Sequence, residues 1–340
     1  MHELLLQLSQ GNKMTESDIQ LAMEKILNDE VTEIEIAAFL MGMGAANRTT
    51  SAEMFTISQT IRKYSTHHLT GVNGAMDNCG TGGDGCNSFN ISTASSFVLA
   101  AGGIKMVKHG NRKITSQSGS MDVLKALGIK TRLTEDQAMA SIRQDNLVFL
   151  NARYVHPKLK RIMEVRRKLK IPTIFNVIGP LTNPVSLTYQ MVGVYDKQLL
   201  DVYGEVLQRC GRKRAAVIHG AGNMDEASLQ GENIILLVER EQLKRIILRP
   251  EDVGLKRRNN TDLRGGNPYD NAQIMLNVLK GHSSVYRDAV VLNAGIGFYV
   301  AEKVSSIHEG VNKAMQILDS KKALQIYLTL AGGDKTCQTI

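Results

Sequence analysis

The chain has 340 residues, of which 43% are apolar, and 41 Lys and Arg against 33 Asp and Glu give a net charge of +8. This is ordinary globular composition with length for two or three domains, and it excludes intrinsic disorder, collagen and a coiled-coil rod. No run approaches the roughly 18 consecutive apolar residues of a membrane-spanning helix.

The N-terminus, Met1 to Leu6, carries an acid and no basic stretch, so it does not read as a secretory signal. Residues 1–70 read as helices. Thr15 to Asp18 forms a start signal, followed by Ile19, Leu21, Met23, Ile26 and Leu27. Thr32 opens a second helical run, and Ser51 to Arg62 is a third, with Met54, Ile57 and Ile61 at helical spacing. From residue 78 short apolar strands alternate with helices. Ile104–Val107, Leu147–Leu150, Ala215–Ile218, Ile234–Val238 and Ala289–Leu292 read as strands, which predicts a largely parallel α/β sheet. Residues 333–340 read as a frayed tail. Cys79, Cys86, Cys210 and Cys337 form no C-x-x-C pair, which points to a reducing, cytoplasmic compartment.

Gly80-Thr-Gly-Gly-Asp-Gly85 matches G-x-G-x-x-G. A dinucleotide fingerprint needs a buried strand before it and an acid about 20 residues on. Here Gly74–Cys79 is a poor strand and position 105 is Lys, so nicotinamide binding is not favoured. Residues 85–121 contain no Asp or Glu, but they hold Lys105, Lys108, His109, Arg112 and Lys113. They also hold nine hydroxyls, among them Ser88, Ser92, Thr93, Ser116 and Ser120. Helices starting near Ser92 and Ser120 would turn their positive ends toward the loop. With free glycine N–H groups these make a phosphate cradle. The same residues also fit ordinary caps and turns.

Pro157 to Leu169 reads as a helix with Leu159, Ile162, Met163 and Leu169 on one stripe. Arg166 falls at the centre of that stripe and Arg167 to its side. An inward Arg requires a carboxylate or phosphate, which could belong to a ligand or to an internal salt bridge. His156 before Pro157 reads as a turn residue or a catalyst. Asp225-Glu226 sits in a loop where both carboxylates can reach Mg²⁺, although such pairs are often merely solvated. No motif for a covalent nucleophile or for zinc is present. The chemistry therefore reads as positioning and charge stabilisation.

The excess of positive charge fits a basic surface with no target, nucleic acid, or a phosphate-rich metabolite. Nine Tyr, seven Phe and no Trp, none interleaved with basic clusters, argue against a stacking platform for nucleic acid.

Taken together, Gly80–Asp84, Asn90–Thr93, Lys108–Arg112, Ser118–Leu124, His156-Pro157, Val165–Arg167, Phe175–Pro184, Gly193–Tyr195, Asp225-Glu226 and Leu292–Gly295 resemble the anthranilate phosphoribosyltransferases of tryptophan biosynthesis. The resemblance spans nearly the whole chain. It implies an α/β fold of the nucleoside phosphorylase/phosphoribosyltransferase class II type. A small helical domain, residues 1–72 with a return segment at about 160–190, would sit beside an α/β domain of residues 73–159 and 191–340. It implies transfer of phosphoribosyl from 5-phosphoribosyl 1-pyrophosphate to anthranilate, with Mg²⁺, in a cytoplasmic homodimer joined through the helical domain. By the same resemblance Gly80, Gly83, Asp84, Ser88, Asn90, Ile91, Ser92, Thr93, Lys108, His109, Gly110, Asn111, Arg112, Ser116 and Ser120 would hold the donor. Gly80, Asn111 and Arg166 would hold anthranilate, and Ser92, Asp225 and Glu226 would hold Mg²⁺.

The sequence departs from the family pattern at Asn151-Ala-Arg153 and Lys158, at the expected acceptor pocket, and at Gly42–Ala46. The alternatives are a relative acting on another aromatic acceptor, the pyrimidine nucleoside phosphorylase type, and a non-enzymatic nucleic-acid binder. The phosphorylase type lacks the Lys108–Asn111 and Asn183-Pro184 segments, and the binder would not need the intact Gly80–Asp84 loop and acid pair.

Overall fold

Threonines start three of the first four helices. These are α1 (His2–Ser9), α2 (Glu16–Leu27), α3 (Glu33–Gly42) and α4 (Ser51–Lys63). Thr15, Thr32 and Thr50 each accept the backbone N–H three residues on, and the acid at that position answers the threonine's own N–H. The computed structural model describes residues 1–44, 48–111, 118–240 and 242–332. Arg112, Lys113, Ser116, Ala45, Ala46, Cys337 and the 333–340 tail lie outside the described residues.

The rest alternates strands and helices. In order these are β1 (Ala75–Gly80), α5 (Ile91–Ala101), β2 (Lys105–Gly110), α6 (Ser120–Ala126), α7 (Glu135–Asp145), β3 (Leu147–Asn151), α8 (Ala152–Val155), α9 (Lys160–Leu169), β4 (Tyr189–Gly193), α10 (Leu199–Arg209), β5 (Arg214–His219), β6 (Asn233–Glu239), β7 (Gln242–Leu248), α11 (Pro268–Leu279), α12 (Val285–Val300), α13 (Ile307–Asp319) and α14 (Lys322–Leu330). The sheet runs β3-β2-β1-β4-β5-β6-β7. Its first five strands are parallel, and β6 and β7 are antiparallel. The expected α/β fold with a helical region and a mostly parallel sheet is therefore present.

Five element readings change. Ala75–Cys79 belongs to β1, a buried central strand; its polar Asp77 and Asn78 hid it. One of the two grounds against a dinucleotide loop thus falls, while Lys105 still stands where the ribose acid would be. Ala289–Leu292 lies inside α12, because a helix buried on every side shows no 3.6-residue period. Sequence reading also missed β4 and β7. The helix expected from Pro157 begins as a single 3₁₀ turn and becomes α-helical at Lys160.

One face of the sheet packs on α5 and α11–α14 through Phe97, Leu99, Val290 and Phe298. On the other face, Ile19, Ile36 and Ile57 of α2–α4 share a core with Ile162 of α9, Phe175 and Tyr203. The 173–185 segment crosses this second face and is held by side chains. The Gln190 amide donates to Pro180 O at 2.6 Å, the Tyr203 hydroxyl donates to Val177 O, and the His156 ring meets Thr182 O at 2.8 Å.

His156 is 4% exposed, and burial pushes its pKa down from 6.5 to about 4. Below pH 6.5 the unfolded chain binds a proton that the folded chain refuses until about pH 4, so this ring removes stability as pH falls through that window. Between about pH 7.5 and 5 the wild type should lose about 2 kcal/mol more than His156→Gln in urea denaturation. Equal losses would show that the ring is not held neutral.

Candidate active site

In parallel α/β sheets ligands bind beyond the carboxyl ends of the strands, where the chain reverses its order of travel. Here the chain lays β2 and β3 to one side of β1 and then returns with β4 on the other. Gly80, the last residue of β1, pairs with Gly193, the last of β4. Of the candidate residues, Gly80, Ser92, Asp225 and Glu226 line one small cavity at this point.

After Gly80 the chain turns through Gly82 (φ 71°), Gly83 (φ 85°) and Gly85 (φ 70°), a left-handed path that glycine takes without strain. Gly82 N–H donates to Asp225 Oδ2 at 2.6 Å, and Thr81 N–H to Gly193 O at 2.9 Å. Asp84 Oδ1 accepts Cys86 N–H at 3.0 Å, and its Oδ2 accepts Asp225 N–H at 3.5 Å. The 225–226 turn lies directly on the strand ends. A Cβ on Gly193 would stand 1.6 Å from Asp225 O, and one on Gly80 2.2 Å from Asp225 Oδ2.

The α5 helix starts as expected beside this loop, with Asn90 at its cap position. Ser92 N–H donates to Glu226 Oε1 at 3.2 Å, so the helix N-terminus already faces an anion. Ile91 and Thr93 are fully buried. Asn90 side-chain groups bond Ser118 O and Asn271. Ser88 bridges to Arg264, which pins the far side of the loop.

Lys108 is only 2% exposed; its Nζ donates to Asn78 O at 2.8 Å and lies beneath the loop. The Ser120 hydroxyl and the Met121 N–H both donate to Asn111 O, which fixes the end of β2 on the start of α6. Gly110 is needed here because a Cβ would meet Ser120 Oγ at 2.5 Å.

Burial first, then the charges of Asp84 and Glu226, holds the Asp225 carboxyl well above the usual carboxylate range. Burial also raises Glu226 to about 7, against the opposing pull of Lys108. A cavity of about 20 Å³, room for about one water, lies among Asn78, Gly80, Ser92, Gly193, Asp225 and Glu226. Among the described residues no three acids, histidines or cysteines enclose a metal. Two carboxylates with hydroxyl and phosphate oxygens fit Mg²⁺ nonetheless, because Mg²⁺ keeps waters and commonly binds through one or two carboxylates plus substrate phosphates.

Arg166 sits beside buried Ile162, four residues before it on the same face of α9. Its Nη2 donates to Asn176 Oδ1 at 3.0 Å and its guanidinium lies 5.8 Å from the Phe175 ring centre. Among the described residues it makes no ion pair, and its buried Nε has no partner. Among the described residues, then, no carboxylate forms the internal salt bridge. His109 and His156 meet edge to face at 5.3 Å, each with one buried nitrogen lacking a partner. Lys158, expected at the acceptor pocket, instead reaches Asn28 at 3.0 Å and the Tyr64 ring at 4.5 Å. Arg153 is exposed, and Asn151 caps α8 through the Arg153 N–H.

Sequence reasoning missed Asn78 and Asn293 as site residues. Asn78 Nδ2 donates to Ser92 O at 2.9 Å, and Asn293 clamps Ala227 N–H and O at 3.0 and 2.9 Å, which holds the acid turn. The signal was available as amides within buried apolar runs, which require specific partners.

Gly193→Ala should cost about 1–3 kcal/mol by overpacking against Asp225 O. Gly231→Ala, whose Cβ would meet only Ala221 Cβ at 3.6 Å, should cost much less. Chemical denaturation of both variants checks this, and equal costs would contradict the close approach.

Residues 2–65 match the helical bundle domain of a glycosyl transferase family, and residues 72–324 match its a/b domain. The anthranilate phosphoribosyltransferase of Bacillus cereus strain B4264 is 42% identical over 341 residues, covering 100% of both chains. The solved anthranilate phosphoribosyltransferase of Thermus thermophilus is 34% identical, with a TM-score of 0.91 over 97% of this chain and 98% of that one. The Saccharomyces cerevisiae enzyme, solved in complex with PRPP and Mg, shares the fold at 24% identity, with a TM-score of 0.89 over 97% and 96%. On this full-length likeness, the chain belongs to the anthranilate phosphoribosyltransferase family.

Proposed function

We propose that the chain transfers the 5-phosphoribosyl group from 5-phosphoribosyl 1-pyrophosphate to the amine of anthranilate and releases pyrophosphate. The observation that carries the acceptor is Arg166. It is a largely covered cation with an unsatisfied Nε, an aromatic ring nearby and, among the described residues, no acid beside it. A flat aromatic carboxylate supplies what is missing. The donor reading rests on the glycine loop, the α5 N-terminus and the acid turn meeting at the β1/β4 switch point.

In this reading the loop amides and the start of α5 orient the pyrophosphate, and Asp225, Glu226 and Ser92 hold Mg²⁺. Bound there, Mg²⁺ would neutralise charge on the departing pyrophosphate. The anthranilate nitrogen forms the new bond to the anomeric carbon as the carbon–oxygen bond to pyrophosphate breaks. The sugar passes through oxocarbenium character, and the amine then loses its proton. No side chain acts as a covalent nucleophile. The protein's part is to hold the two substrates in line and to exclude water.

A homodimer through the helical region fits the apolar surface left on α1 and α3, where Ile34 is 81% exposed, Met41 56% and Leu6 49%. No described helix is long and apolar enough to cross a membrane. We place the enzyme in the cytoplasm on its free thiols at Cys79, Cys86 and Cys210.

Fluorescence of anthranilate should fall only when donor and Mg²⁺ are both present; no consumption with both present would refute the reading. Asp225→Asn with Glu226→Gln should lower turnover by orders of magnitude while circular dichroism stays unchanged. Full turnover at saturating Mg²⁺ would remove the acid pair from the metal site. Arg166→Ala should raise the anthranilate KM roughly 30- to several-thousand-fold, the equivalent of about 2–5 kcal/mol. The donor KM should stay within a few-fold. Arg167, whose side chain is 74% exposed beside Glu164, should tolerate Ala. An unchanged anthranilate KM in a destabilised Arg166→Ala protein would return Arg166 to a structural role.

A further inference from the structure

The β1/β2 ladder stops early. Ala75 pairs with Lys105 and Met76 with Met106, and no pair follows. On either side the ladders continue, β2 with β3 as far as Gly110 and β1 with β4 as far as Gly80. The sheet therefore forks at its carboxyl end. One prong carries Gly80 and the phosphate loop, and the other carries Gly110 and Asn111.

Main-chain groups that the ladder would have joined must find other partners. Four face the fork, and each is met by a side chain. Asp77 Oδ1 accepts Asn78 N–H at 2.8 Å, and the Asp77 carboxylate also accepts His109 N–H at 3.4 Å. Asn183 Nδ2 donates to Val107 O at 2.8 Å and to Asp77 Oδ2 at 2.9 Å. Lys108 Nζ donates to Asn78 O. Asn183 Oδ1 in turn accepts Val185 N–H at 3.0 Å. Asp77 is 0% exposed and Asn183 1%. A plain ladder would satisfy the same four groups without burying a carboxylate and an ammonium, which is costly even when they are paired.

We infer that Asp77 and Asn183 are positioning residues that wedge β1 and β2 apart and so set the distance between the donor-holding and acceptor-holding prongs. This rests on the transfer reaction proposed above. The wedge touches neither reacting atom. Its effect should therefore appear in the chemical step, where a misplacement of about 1 Å can cost on the order of a hundredfold.

The test combines kinetics with amide exchange on the full chain. In Asp77→Asn one acceptor becomes a donor facing the Asn183 amide and the His109 N–H. The expected result is a kcat about 30- to 100-fold lower, with both substrate KM values within about threefold. Asn183→Ala should show the same split. The His109 amide, which donates to Asp77 in the wild type, should exchange at least about tenfold faster in Asp77→Asn. Unchanged kcat per folded molecule, a change confined to one KM, or unaltered His109 exchange would overturn the inference. So would unfolding of both variants, since that would make the contact purely structural. If the wild type consumes no anthranilate, the transfer reading fails, and the His109 exchange result still decides whether the wedge exists.

Discussion

Three carboxylates and one ammonium share the partly water-excluded ends of four strands, and much of the local architecture follows from that crowding. Burial, then the charges of Asp84 and Glu226, raises the cost of ionising Asp225; burial and Asp84 raise it for Glu226, where Lys108 offsets part of it. The backbone gives the remaining support through Gly82 N–H, Ser92 N–H and the α5 N-terminus. Glycine is required at 80 and 193 because the acid turn lies on the strand ends with no room for a Cβ. Asn293 and Asn78 then fix the turn and the helix from behind. Such an arrangement is poor for stability and well suited to a divalent cation arriving with a polyphosphate.

The proposed acceptor side is built differently. The 173–183 segment gathers it, with Asn176 on Arg166, Gly179 beside His109, Thr182 on His156 and Asn183 in the fork. Arg166, His109 and His156 each keep a buried nitrogen without a partner along this one segment. Unsatisfied buried donors and acceptors are uncommon in native proteins, and their clustering marks where a polar aromatic ligand would complete the set. In the proposed reading the donor half is therefore organised by excess negative charge, and the acceptor half by unmet hydrogen bonds.

The sequence made much of this legible, but unevenly. The glycine loop, the start of α5 and the acid pair were readable because each follows a local rule of turn or cap chemistry. Arg166 was readable as a cation on an apolar helical stripe. β1 was not, because the fork places Asp77 and Asn78 inside a central strand and breaks its apolar pattern. α12 read as a strand because burial on all sides erased its period. Gly193 and Asn293 act through contacts made across long sequence separations, which no local pattern encodes. Lys158 looked like an acceptor-pocket residue by position, yet its side chain turns to Asn28 and Tyr64.

In the proposed reading Asp225 and Glu226 are held together for a cation at the expense of stability. The most direct measurement is the unfolding free energy of the wild type and of the Asp225→Asn, Glu226→Gln double variant, both metal-free at about pH 8, and then with Mg²⁺ and 5-phosphoribosyl 1-pyrophosphate. Without metal the variant should be the more stable by at least about 1 kcal/mol, because amides of the same shape remove the buried repulsion. With both ligands the wild type should gain stability by mass action and the variant should not. A variant less stable than the wild type in the absence of metal, or one that gains equally from the ligands, would contradict the account.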